Sequence, residues 1–320
     1  KQSQNPSLKQ LGLSNSYIPQ NTYQYMFFKR RNTFKDTWWK KALRIFGYTV
    51  AIITIFMIVS GPAEEFGDEI LIIPITGTIY SGSDGYSPDT FSDDVISQLE
   101  SAAKNDNTKA VILELDSPGG TVVGSREISN AIEAFEKPVV TWMRENAASG
   151  AYWIAASTDH IVADPATITG SIGVTGSYLQ FSGLLDDYNV SYERFVSGEY
   201  KDTGSPYKEV SDQEREYLQN KINLLNDMFV EHVATSRGLT ESFVRAQSTG
   251  EIFLGTEALS RKLVDSLGGK QEALDIAAEL SGAEDYRVTK YERPSPLFGK
   301  LFYGLSENNL NAQTSFGVRA

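Results

Sequence analysis

Apolar and polar positions follow three regimes along the chain. Residues 1–41 show no sustained period: Lys1 to Tyr25 is rich in Asn, Gln, Ser and Tyr and is expected to be disordered. Ile45 to Ser60 (IFGYTVAIITIFMIVS) is then an uninterrupted run of 16 uncharged residues. As a helix it measures about 24 Å, and the wider segment 42–63 measures about 33 Å, with Arg44 able to snorkel. Trp38 and Trp39 suit a membrane interface. From Glu69 onward, short β-branched runs alternate with helix-period segments, the signature of an α/β core.

Within that third regime, Glu69–Tyr80 predicts a strand broken near Pro74 and Gly77, and Ser92–Lys104 a helix with Val95, Ile96 and Leu99 on one face. Lys109–Leu115 (KAVILEL) reads as a fully buried strand running into the turn Asp116-Ser117-Pro118-Gly119-Gly120. Val122–Phe135 predicts a helix, Pro138–Arg144 a strand and Ser149–Ala156 a helix. Asp159–Asp164, Thr169–Val174 and Ser191–Val196 predict short strands. Ser211–Arg237 predicts a long helix, with Ser211 and Glu214 forming a capping box and Gly238 ending it. Leu297, Phe298, Leu301, Phe302 and Leu305 recur at helical spacing as a docked helix, and 306–320 reads as a disordered tail. The expected organisation is a basic segment at 1–41, a transmembrane helix at 42–63, a folded domain at 64–305 and the tail.

Charge sharpens this division. Of 29 Lys/Arg and 41 Asp/Glu, nine basic residues and one acid lie in the first 44, leaving 20 basic and 40 acidic residues beyond. Positive charge ahead of an apolar run predicts a single-pass anchor with the N-terminus cytoplasmic and the domain outside. More than 40 residues before the apolar run is too long a leader for a signal peptide. The acidic body argues against nucleic acid as a partner. The absence of cysteine excludes disulfides, thiolate metal sites and a thiol nucleophile.

Candidate chemistry centres on Glu145-Asn146-Ala147-Ala148-Ser149-Gly150-Ala151, where small residues surround one hydroxyl ahead of an apolar helix. Ser149 could simply cap that helix, or its hydroxyl could be exposed for attack on a carbonyl. Only two histidines are present, His160 inside an apolar strand and His232 in mid-helix, and both read as structural. No HExxH or paired histidines occur, so no metal is expected. Gly170, Gly173 and Gly176 match neither GxGxxG nor a P-loop, so no nucleotide cofactor is expected either. A neutral lysine can replace histidine as base; at the ordinary pKa of about 10.4 roughly one lysine in 2,500 is neutral at pH 7, and burial raises that fraction. Lys201, in the small-residue loop around Gly198 and Gly204, is the candidate. Gly119 and Gly120 could turn backbone N–H groups toward an oxyanion.

Together, LDSPGGTVVGS (Leu115–Ser125), ENAASGAYWIA (Glu145–Ala155), TGSIGV (Thr169–Val174), SGEYKDTGSP (Ser197–Pro206) and LGTEALSRKLVDSLGG (Leu254–Gly269) resemble the SppA-type signal peptide peptidases. These are membrane-anchored Ser–Lys serine peptidases of the Clp-protease/crotonase-like fold. The resemblance covers roughly 69–280. It implies Ser149 as nucleophile, Lys201 as general base, Gly119 or Gly120 beside Gly150 as oxyanion donors, and Ser171 as a partner orienting Lys201. It also implies remnant signal peptides and unfolded peptides as substrates, and a ring- or dome-shaped homo-oligomer in which neighbouring subunits supply Ser and Lys. Two other classes compete. An inactive tethered scaffold would be marked by loss of Ser or Lys, and both are present. A crotonase-type acyl-CoA enzyme would want a carboxylate acid/base and access to CoA, which an external tethered domain lacks.

Overall fold

The computed structural model describes residues 33–59, 67–84, 87–291 and 317–319, and the chain divides into two units at residues 65/66. In the first unit a single helix, α1 (Thr33–Val59), carries the apolar run. Leu43, Ile45, Phe46, Ile52, Ile53 and Ile55 are exposed along it. Among the described residues no helix is long and apolar enough to cross a membrane. The segment expected to span, 42–63, continues into residues outside the described ones.

In the second unit the elements run β1 (Asp68–Tyr80), β2 (Thr90–Phe91), α2 (Ser92–Lys104), β3 (Thr108–Gly120), α3 (Val122–Glu133), β4 (Val139–Ala148), α4 (Gly150–Ala156), β5 (His160–Ala163), β6 (Ile168–Gly170), β7 (Thr175–Ser177), α5 (Ser182–Asp187), α6 (Asp212–Ser236), α7 (Glu241–Arg245), β8 (Ile252–Leu254), α8 (Gly255–Ser260), β9 (Ser266–Leu267), α9 (Lys270–Ser281), β10 (Tyr286–Lys290) and β11 (Gly317–Arg319). The main sheet has the order β10-β1-β3-β4-β5-β9, all parallel. β6 extends β4 in parallel, and β8 closes against β6 antiparallel.

Period-two alternation assigns the core. Ile73, Ile75, Val111, Leu113 and Leu115 face one layer with α2, α3, α4 and α6, while Ile70, Ile72, Ala110, Ile112, Val140 and Val162 face α9 through Ala273, Leu274 and Ala277. Burial on both faces is why the central strands read as continuous apolar runs. The α/β architecture therefore stands as expected from the alternating pattern.

Several expected boundaries move, each for a local reason. β1 does not break at Pro74. Pairing with β10 stops at Ile72, so the imino residue sits where β1 has a neighbour on one side only. Gly77, at φ +67, takes up the register shift between Thr76 and Thr78 instead. β3 and β4 both run further than their apolar cores, to Gly120 and Ala148, because each is paired through its small-residue end. The strand expected at Thr169–Val174 ends at Gly170. The strand expected at Ser191–Val196 does not form. Its residues are exposed and find no sheet edge among the described residues, and β-branched and aromatic content alone does not hold a strand. The apolar helix expected at 297–305 lies outside the described residues, as does most of the tail. Gly317–Arg319 corrects the expectation of a disordered tail at three positions, pairing antiparallel with β7.

Candidate active site

β4 delivers the chain to Ser149, and α4 carries it away. Ala148 pairs with Gly170 of β6, and the Ser149 N–H donates to Gly170 O at 2.9 Å, fixing the turn against β6. One turn of α4 later, the Trp153 N–H donates to Ser149 O at 3.0 Å. Between these bonds Ser149 is held at φ 55, ψ −123, a conformation that costs a non-glycine residue about 1–3 kcal/mol. Ser149 occupies the N-cap position, yet its side chain makes no capping hydrogen bond. The hydroxyl is therefore not used to stabilise the helix, which removes the simplest structural account of this residue. Only four non-glycine residues among those described have positive φ, and the second is Ser171, at φ 50. Ser149 and Ser171 line the same groove of about 480 Å³.

Gly119 fits against this turn. A Cβ at Gly119 would stand 2.7 Å from Gly150 N and 2.9 Å from both Ala148 O and Ser149 Cβ, and the residue's φ of +101 favours glycine independently. Its N–H donates to Ser117 Oγ at 3.1 Å, and that hydroxyl donates in turn to Gly77 O at 2.6 Å. Gly120 serves a different contact: a Cβ there would meet Ile79 O of β1 at 2.0 Å. The Gly150 N–H opens α4 and, as a first-turn amide, has no intrahelical partner. Of the three expected glycines, Gly119 and Gly150 lie beside Ser149, while Gly120 packs on β1.

Lys201 is placed elsewhere. Its side chain is exposed, and it is not among the residues lining the groove at Ser149. Its backbone is nonetheless well held. The Lys201 N–H donates to Gly198 O at 3.1 Å, and Tyr200 stacks on Tyr217 of α6 at 4.8 Å. Asp202 pairs with Arg194 at 2.7 Å and with Lys208 at 3.1 Å. Lys208 also bonds Glu214, the capping-box residue of α6. That lysine, followed by the Ser211 N–H, holds the Glu214 carboxyl down at about 2. The loop is thus tied to the start of α6 on both sides of Lys201, with the ammonium left outward.

One cluster imitates a triad on distance alone. His232 Nε2 lies 3.2 Å from Ser157 Oγ, and Nδ1 lies 3.7 Å from Glu133. Nε2 is also 3.0 Å from Trp153 O, a carbonyl that only accepts, so this nitrogen carries the proton and cannot take one from Ser157. Burial holds His232 below its ordinary value, keeping the ring neutral at pH 7, and the ring stacks on Trp153 at 5.1 Å. His232 is a clamp between α6 and α4. His160 bonds Ser266 Oγ at 3.0 Å across β5 and β9. Both histidines are structural.

Sequence reasoning missed the residues that α6 and the 248–250 turn bring to the groove. Gln219, Asn223 and Asn226 recur at i, i+4 and i+7 on one helix face. The spacing is visible in the sequence but reads there as an ordinary solvated face.

A strained serine at the carboxyl end of a parallel strand, with a first-turn backbone N–H that has no intrahelical partner next to it, is the layout of a nucleophile turn. The comparisons give it a family. Residues 131–284 match the model of peptidase family S49, and residues 69–178 match the NfeD1b N-terminal domain. A Methanocaldococcus jannaschii protein described as a protease is 33% identical over 264 residues, covering 79% of this chain and 85% of that one. The chain belongs to peptidase family S49. A relative from Enterococcus faecium named signal peptide peptidase SppA is 34% identical, covering 65% of this chain. Protease 4 of Haemophilus influenzae is 32% identical, covering 67% of it. The chain spans 62% of the length of the first of these two and 35% of the second.

Proposed function

We propose that this protein is a serine endopeptidase in which Ser149 is the nucleophile and Lys201 the general base. The observation that carries the assignment is the conformation of Ser149: a non-glycine residue at φ 55 whose hydroxyl makes no cap bond, beside the Gly150 N–H, which has no intrahelical partner. Neutral Lys201 would remove the Ser149 Oγ proton as oxygen attacks the scissile carbonyl. Negative charge would develop on the carbonyl oxygen next to the Gly150 N–H, on a turn that packs this closely against β3 because Gly119 has no Cβ. The C–N bond then breaks, the lysine ammonium returns its proton to the leaving amine, and water releases the acyl group by the reverse route.

The two residues meet only if a second copy brings its lysine. Each chain holds its own Lys201 outward on a loop braced against α6. The preceding segment exposes Tyr188, Tyr192, Val196 and Phe195, the last 94% exposed, an apolar arm of the kind an interface covers. A junction between subunits would also exclude water, which favours the neutral amine. The substrates proposed are remnant signal peptides and other extended, unfolded or membrane-derived chains. The uncharged run at 45–60, with basic residues before it, supports tethering in a membrane with the N-terminus cytoplasmic and the domain outside.

The test uses the full chain with Ser149→Ala and Lys201→Ala, each alone and then mixed under conditions that let subunits exchange. Each variant alone should lose peptide hydrolysis, and the mixture should regain part of it, because some junctions then pair an intact serine with an intact lysine. Hydrolysis that survives either single substitution would end the dyad assignment. A mixture that stays inactive while the subunits demonstrably exchange would end the shared-site arrangement.

A further inference from the structure

β3 is irregular on both sides where it approaches the nucleophile turn. On the β1 side the register jumps from Thr76 opposite Asp116 to Thr78 opposite Gly119, so Gly77 alone faces Ser117 and Pro118. On the β4 side it jumps between Leu115 and Ser117, so Arg144, Glu145 and Asn146 face Asp116. Such bulges interrupt the ladder, and Pro118 brings no N–H with which to restore it. Side chains replace the lost bonds. Asp116 Oδ1 accepts the Asn146 N–H at 3.2 Å. Ser117, fully buried, donates its one proton to Gly77 O at 2.6 Å and accepts the Gly119 N–H at 3.1 Å.

We propose that Ser117 is a positioning residue for catalysis: its hydroxyl fixes Gly119, and Gly119 in turn fixes the turn that carries Ser149 and the Gly150 N–H. The role presupposes the peptidase assignment, with Ser149 as nucleophile. Its physical basis is the closeness of the second contact. The place a Cβ would take on Gly119 lies 2.7 Å from Gly150 N and 2.9 Å from both Ala148 O and Ser149 Cβ, so the two segments touch without slack. A shift of Gly119 toward the turn pushes Ser149 out of place, and a shift away removes the wall on which the turn rests. Ser117 is not among the residues lining the groove at Ser149, so it acts through Gly119 rather than on substrate. Serine is also the smallest side chain that donates and accepts at once. Without the hydroxyl, the N–H of buried Gly119 loses its acceptor, and the segment moves to regain one.

The experiment compares Ser117→Ala and Ser117→Cys with the wild type, all as the full chain. Peptide hydrolysis gives kcat and KM. A fluorophosphonate that labels the nucleophilic serine gives the fraction of sites that react and the rate at each. Misplacement by about 1 Å costs about 10²-fold in rate. Ser117→Ala should therefore lose about 10²-fold in kcat and in labelling rate, with KM changed little and the reactive fraction unchanged. Ser117→Cys keeps the shape of the side chain but donates and accepts weakly, so both its rates should fall between alanine and wild type. It carries the same test if the alanine variant does not fold. A wild-type kcat in either variant would overturn the positioning role and leave the peptidase assignment standing. A smaller reactive fraction whose remaining sites label at the wild-type rate, or loss of the fold in both variants, would make Ser117 structural only and overturn it equally. Hydrolysis that persists in Ser149→Ala, or a wild-type chain that neither cleaves peptides nor labels, would overturn the assignment and this role with it.

Discussion

Gly119 is where the geometry can be tested most sharply. An alanine there places a methyl 2.7 Å from Gly150 N and 2.9 Å from Ser149 Cβ, and real Cβ contacts essentially never fall below 3.0 Å. The backbone must also hold φ +101 with a side chain attached, at a cost of about 1–3 kcal/mol. For a domain of this size that lowers Tm by roughly 2–4 °C per kcal/mol, so Gly119→Ala should remain folded at 25 °C. The chemistry suffers more. The methyl fits only if the turn carrying Ser149 and the Gly150 N–H moves away, which misplaces nucleophile and donor together, and loss of one such donor costs about 10²–10³ in kcat. The expected result is therefore a Tm lower by at least about 2–12 °C, the backbone contacts adding to the φ cost, with kcat down by about 10²–10³ and KM changed little. The assay is hydrolysis of a fluorogenic peptide, with kcat and KM resolved separately, beside a thermal melt. A Gly119→Ala protein within a few-fold of wild-type kcat would refute the placement of the oxyanion at the Gly150 N–H.

Three further outcomes follow from the same geometry. Ser149→Gly should melt higher than wild type, by about 1–2 kcal/mol of stability, because glycine adopts φ 55 without strain; a melt at or below wild type would contradict the strain. Glu214 has its folded pKa depressed to about 2, so it contributes stability above the unfolded value near 4.5 and loses it as pH falls toward 2; the Tm gap between wild type and Glu214→Gln should be constant above pH 5 and close over that window. His232 is likewise depressed, here by burial, so the unfolded chain takes up the proton first as pH falls below about 6.5. Wild-type Tm should then fall more steeply than that of His232→Gln between pH 7 and 5, and parallel curves would show that the ring is not desolvated.

The strand–helix alternation, the capping box at Ser211 and the small-residue turn at Ser149 were legible because each follows from local chemistry. What local chemistry could not give is partnership. Ser191–Val196 has the composition of a strand but no edge to join, and Pro74 reads as a break until β10 is seen to stop at Ile72. The site divides in the same way. Ser149 and Lys201 stand out because a small-residue setting is odd for a hydroxyl or an amine. Ser117, which links Gly77 O to the Gly119 N–H, is one serine among many until β1 and β3 lie side by side. Asn223 and Asn226 are legible as a helix face, and only the fold shows that the face looks into the groove at Ser149.

The pairing of β1 with β10 has a consequence for timing. Asp68 lies opposite Tyr286 and Ile72 opposite Lys290, and Thr289 Oγ1 donates to the buried Glu69 carboxylate at 2.6 Å. Roughly 200 residues must be made between the two strands, which takes about 10–40 s at about 5–20 residues per second. Throughout that interval one edge of an isoleucine-rich strand has no neighbour, the situation in which strands recruit the wrong chain. The residues that end this exposure are among the last of the folded domain to be synthesised. A chain that stalls before Tyr286 would carry a nearly complete domain with an adhesive seam.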